Sequence, residues 1–165
     1  MRQSLTVFLF IFSATTYAQV GTQNDSISFC SYNFKVPDGC TSEKNSIKCD
    51  NFEMTWSYMD EVNLKGVSDK QKLKISESSF MEFCNMLGKF KRKRITCYVL
   101  DTKVKGYKVT YTNMTGANCI IYASGVINGR AVTTMLILKK EVNTNDDIPE
   151  FPRQIIKLTL SPVQG

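Results

Sequence analysis

Six cysteines, at positions 30, 40, 49, 84, 97 and 119, and one basic run, Lys89, Lys91, Arg92, Lys93 and Arg94, are the residues on this chain whose types and spacing could do chemistry. The thiols could form disulfides, bind a soft metal or act as nucleophiles. No two cysteines stand two to four residues apart, which removes the paired spacing that a cysteine-only zinc site requires. There is no histidine anywhere. That removes the commonest metal ligand, the usual general base, and every Ser-His or Cys-His nucleophile. Neither a P-loop nor a dinucleotide-binding glycine fingerprint is present, and no cofactor or metal is implied.

Disulfides are therefore the first use to consider. Cys40, Cys49, Cys30, Cys84, Cys97 and Cys119 are all candidates, and six cysteines allow 15 pairings. Cys40 with Cys49 is the pairing the spacing favours, because the segment between them is short and rich in turn formers. Cys84 falls on the apolar face of an expected helix and is equally readable as a buried thiol.

The basic run is the densest charge on the chain. It reads either as a solvated helix end or as an anion site for a headgroup, a polysaccharide or an acidic partner. The adjacent acids, Asp60 with Glu61 and Asp146 with Asp147, read as caps or solvated charge. A two-carboxylate hydrolase needs its acids facing across a cleft, and the sequence identifies no such pair.

These residues must be positioned by a sheet. The segment 117–140 reads as a β-hairpin hinged on Asn128-Gly129, since both residues of the favoured turn need positive φ. One arm puts Cys119, Ile121, Ala123 and Ile127 on one face and Ile120, Tyr122 and Val126 on the other. The second arm puts Val132, Leu136 and Leu138 against Ala131, Met135 and Ile137. Two apolar faces predict cover on both sides.

Further strands are predicted at 27–36, 51–59, 95–100 and 104–112. The first puts Cys30, Tyr32, Phe34 and Val36 on one face. The second aligns Phe52, Met54, Trp56 and Tyr58, a row that serves as core, or as a ligand platform if exposed. Gly106 marks a bulge or a close backbone approach. Residues 60–75 read as a long loop that could rim a site. A helix capped by Ser76 is predicted to carry Phe80, Phe83, Cys84, Leu87 and Phe90 as its apolar stripe and to end in the basic run. A second helix starts near Asp147, with Ile148, Phe151, Ile155 and Leu158 inward. The expectation is an α+β fold: a single antiparallel β-sheet of about six strands with two helices packed on it.

Residues 1–18 have the form of a secretory signal peptide: Arg2, an apolar run, and a small-residue exit at Ala18. Its ending in Ala-Gln resembles the signals of Bacteroidetes-type bacteria. The organisation expected is a signal peptide at 1–18, a flexible segment at 19–26, one domain at 27–160 and a tail at 161–165. No other stretch is apolar enough to span a membrane. Removal of residues 1–18 takes one Arg and no acid, leaving 20 bases against 15 acids, or +5. That balance does not argue for nucleic acid.

The element order and the ending INGRAVTTMLILKK…DIPEFPRQIIKL resemble the PsbP/Mog1-like α/β/α sandwiches over about 27–158. The resemblance implies an antiparallel sheet between helices and a binding or assembly role. The expected function is a secreted or periplasmic non-enzymatic binding domain braced by disulfides. Its partner would be a protein, a polysaccharide or an anionic envelope component. The alternative is a small secreted hydrolase or a protease inhibitor.

Overall fold

A computed structural model describes residues 25–114 and 116–159. The expected signal peptide, most of the segment 19–26 and the tail 161–165 lie outside the described residues. The strands are β1 (Ser26–Phe29), β2 (Tyr32–Lys35), β3 (Thr41–Glu43), β4 (Ser46–Lys48), β5 (Phe52–Tyr58), β6 (Phe90–Val99), β7 (Thr102–Asn113), β8 (Gly116–Ile127), β9 (Arg130–Leu138) and β10 (Ile156–Leu158). The helices are α1 (Asp69–Asn85) and α2 (Glu150–Ile155), with a 3-10 turn at Asn145–Asp147.

Eight strands form one antiparallel sheet in the order β10-β6-β7-β8-β9-β5-β4-β3, and β1 pairs with β2 in a separate hairpin. This corrects the expected six-stranded sheet with two helices. Strand accounts for 50% of the structure and helix for 19%, so the protein is mostly β. The extra strands come from segments whose polarity hides them. The turn-rich segment between Cys40 and Cys49 forms the hairpin β3–β4. The C-terminal stripe leaves its helix after Ile155 and pairs with β6.

The hinge at Asn128-Gly129 is as the sequence predicts. Both residues have positive φ, +48° and +77°, and Ile127 pairs with Arg130 across the turn. Strand alternation then builds two cores. Cys119, Ile121, Ala123, Ile127, Val132, Leu136 and Leu138 share one face with Phe52, Met54, Trp56 and Tyr58. The hairpin β1–β2 and α2 cover that face: Phe29 meets Trp56 edge-on at 5.6 Å, and Phe151 stacks on Phe52 at 6.1 Å. The aromatic row is therefore core. Each such side chain contributes roughly 1.5–3 kcal/mol by burial. On the opposite face Tyr107, Val109, Ile120, Tyr122 and Met135 pack under Phe80 and Cys84 of α1. Phe80 stacks on Tyr122 with ring centroids 4.3 Å apart.

Three local expectations are overturned. Residues 27–36 are a hairpin and not one strand, because Cys30 and Ser31 both take positive φ, +48° and +72°. Tyr32 is consequently 49% exposed. The long loop is shorter than predicted, since α1 begins at Asp69, seven residues ahead of Ser76. Its cap is Ser68, in a capping box with Gln71. Finally, α1 ends at Asn85, and Gly88, at φ +77°, turns the chain into β6. The basic run is thus a strand and not a helix end.

Candidate functional site

The basic run occupies the first half of β6. Lys89 precedes the strand, and Lys91, Arg92, Lys93 and Arg94 are all exposed along it. Alternation divides them between the two faces of the sheet. Lys91 and Lys93 share the face of Cys97 and Val99, and Lys93 lies opposite Lys108. Arg92 and Arg94 share the face of α1, opposite Val109 and Tyr107.

The two arginines are held in place. Arg92 Nη1 donates to Met81 Sδ at 2.7 Å. Arg94 Nη2 donates to the Tyr107 hydroxyl at 3.2 Å, and that hydroxyl donates to Glu77 Oε1 at 2.6 Å. Both guanidinium groups stand 5.7 Å from the centroid of the Tyr107 ring, within range of its negative π face. The hydrogen bond and charge of this Tyr107–Glu77 system push the Arg94 pKa further up. Arg94, Lys105, Gly106, Tyr107, Ser124 and Glu77 enclose a recess of about 230 Å³. Lys103 and Lys105 of β7 lie on the same sheet face, opposite Tyr98 and Thr96. The sequence reading missed these two lysines. Their signal was the alternation Lys103, Lys105, Tyr107 along a strand otherwise correctly placed.

The outer edge of β6 is covered for only part of its length. Strand β10 pairs with Cys97, Tyr98 and Val99, and Thr159 N–H donates to the Thr96 carbonyl at 3.1 Å. Among the described residues no strand pairs with the outer side of residues 90–95.

The cysteines divide differently from the expectation. Cys40 and Cys49 form the disulfide that their spacing predicts. Cys30, Cys84, Cys97 and Cys119 are buried free thiols. Cys84 is set apart from the other three, and Cys97 from Cys119. Cys84 lies on the α1 face and the other three on the opposite one. Cys97 sits opposite Val104 and Cys119 opposite Thr110, an offset along the strands of roughly 20 Å at about 3.3 Å per residue. A disulfide needs Cα atoms within about 7 Å. Burial pushes Cys97 up to about 12 and Cys119 up to about 11, so neither is a thiolate at neutral pH.

The adjacent acids are engaged in structure. Arg130 Nη2 donates to both Asp60 oxygens at 2.9 Å, and Glu61 accepts from Lys44 at 3.1 Å. Asp146 pairs with Arg153, and Asp147 accepts from the N–H groups of Asn143 and Thr144. A cleft of about 670 Å³ opens beside the disulfide, between Asp38, Asp50 and the first turn of α2 at Glu150. Among the described residues no group of His, Cys, Asp and Glu could hold a metal ion, and no helix is long and apolar enough to cross a membrane.

No known protein family matches the chain, and neither does any curated protein or solved structure.

Proposed function

We propose that this chain is a secreted or periplasmic non-enzymatic binding domain that grips an anionic partner along β6. The observation that supports it is the row Lys91, Arg92, Lys93 and Arg94 on the outer part of the sheet, exposed on both faces. Among the described ion pairs none includes these four side chains. Lys103, Lys105 and Lys108 extend the positive field on β7. Such a row raises the local concentration of an anionic partner and loses its reach as salt shortens the Debye length, about 10 Å at 0.1 M. The absent histidine favours binding over catalysis. The signal-like residues 1–18 and the disulfide favour export.

Replacing Lys91, Arg92 and Lys93 by Ser tests the reading. The mature chain should be retained on an anionic matrix and elute with rising salt, and the triple variant should elute at clearly lower salt. Equal retention of the two overturns it. The export half is tested separately, by finding the N-terminus of the natural protein at Gln19 outside the cytoplasm.

A further inference from the structure

We propose that residues 90–95 of β6 form a docking edge for an extended acidic segment of another protein, which adds to the sheet as a further strand. The inference rests on the anion-binding reading above and deepens it by naming the partner's conformation.

The inner side of this stretch is fully paired with β7, from Phe90 opposite Tyr111 to Ile95 opposite Gly106. Its outer side has no strand neighbour among the described residues until β10 arrives at Cys97. A strand edge presents unpaired N–H and C=O groups, and an incoming strand satisfies them with backbone hydrogen bonds. Six residues at about 3.3 Å each give roughly 20 Å of edge, the length of an ordinary short strand.

The placement of charge then selects the partner. Lys91 and Lys93 project to one face of the sheet and Arg92 and Arg94 to the other. A helix or a globular acidic surface would meet one face and leave the other unmatched. A strand added at the edge has the same two-residue alternation, so consecutive acids would face Lys and Arg in turn, on both faces. Directly opposed side chains on neighbouring strands have Cβ atoms about 4.5–5.5 Å apart, close enough for ion pairs. Arg92 and Arg94 are held beforehand by Met81 and Tyr107, which lowers the ordering cost of meeting a ligand. The same charges repel a second copy of this edge, since like charges opposed across a strand pair are unfavourable. Edge protection alone would account for the charge without any partner, and the experiment separates the two.

The probe is a fluorescent peptide with four consecutive acids, such as Thr-Val-Glu-Asp-Glu-Asp-Val-Thr, titrated into the mature chain. A twin peptide N-methylated at its four acidic residues has the same charge but cannot form the strand ladder. The first peptide should bind, the twin should bind at least tenfold more weakly, and backbone amides within residues 90–95 should slow in hydrogen exchange on binding. Equal binding of the two peptides overturns strand docking while the anionic-partner reading stands. Failure of both peptides, with retention on the anionic matrix intact, also overturns docking alone. Failure of both peptides together with loss of matrix retention overturns both readings.

Discussion

The guanidinium of Arg130 lies 3.7 Å above the ring of Tyr58. From there it reaches Asp60 at 2.9 Å and Glu61 at 3.3 Å. Beneath it the Tyr58 hydroxyl accepts the buried backbone N–H of Cys30 at 2.8 Å, and Asn128 Nδ2 donates to the Cys30 carbonyl at 3.1 Å. The left-handed turn of the β1–β2 hairpin is therefore clamped by β5 and by the β8–β9 hinge, both distant in sequence.

Tyr58→Phe removes the acceptor and leaves the Cys30 N–H buried without a partner. Orphaning such a group costs about 1–3 kcal/mol. Urea unfolding should show a loss in that range, with the sheet signal retained. A variant as stable as the parent would mean that the hydroxyl does not hold the turn.

The acids around Arg130 predict the response to low pH. The hydrogen bond from Arg130 is the main cause that holds Asp60 below its ordinary range, and the bond from Lys44 does so first for Glu61. Both folded values are depressed, so the stabilisation is present above the ordinary carboxylate range, near pH 4. It is lost as pH falls through the folded values. Asp60→Asn should lower stability modestly at neutral pH and flatten the acid limb of a stability-against-pH curve, so that the two curves converge below the carboxylate range. Parallel acid limbs in the two proteins would remove this pair as a contributor.

The parts of this fold that local chemistry dictates were legible in the sequence. Asn128-Gly129 accepts positive φ at little cost, so the central hairpin announced itself. The alternation from Phe52 to Tyr58 placed a core face, and the turn-rich segment between Cys40 and Cys49 fixed a disulfide. What failed was decided by tertiary contact or hidden by charge. Cys30 and Ser31 are neither Gly, Asn nor Asp, the residues that usually take positive φ, and their turn is held by Tyr58 and Asn128. The capping box of Ser68 and Gln71 was written in the chain. The first turns of α1 are too polar to show a stripe, and its two buried residues, Phe80 and Cys84, come only near its end. The basic run disguised β6, because edge strands carry charge that central strands do not. Its residues were singled out, but its two-faced geometry depends on the first half of β6, which reads in sequence as a helix end while 95–100 reads as strand.

Gly106 offers a test of the β7–β8 packing. A Cβ built there would run into the backbone carbonyl of Tyr122, whereas at Gly125 the obstacle is the Val104 side chain, at 2.6 Å. Backbone in a paired strand cannot move aside, and a valine methyl can turn away. Overpacking costs roughly 1–3 kcal/mol, and Gly106→Ala should lie at or above the top of that range. Gly125→Ala should cost less and be relieved by Val104→Ala in the same chain. Equal costs in denaturant unfolding would refute the distinction.

The buried thiols give the sharpest pH prediction. Burial raises Cys97 from an ordinary 9.0 to about 12, and the residue is fully excluded from solvent. The fold favours the neutral thiol. Its contribution is therefore complete below pH 9, where the unfolded chain is also protonated, and declines as pH rises toward the folded value of about 12. Cys97→Val removes this titration while keeping an apolar side chain of similar size. The stability difference between parent and variant should then shift in the variant's favour by up to about 1.4 kcal/mol per pH unit above pH 9. Denaturant unfolding at pH 8 and pH 10.5 measures it, and the comparison with the variant cancels the other titrating groups, including Tyr122, which burial also raises to about 12. At pH 8 a thiol reagent should label the native chain slowly and label all four free cysteines once it is unfolded. Rapid labelling of Cys97 in the native protein, with a pH-independent gap between the two proteins, would contradict its burial beneath the sheet.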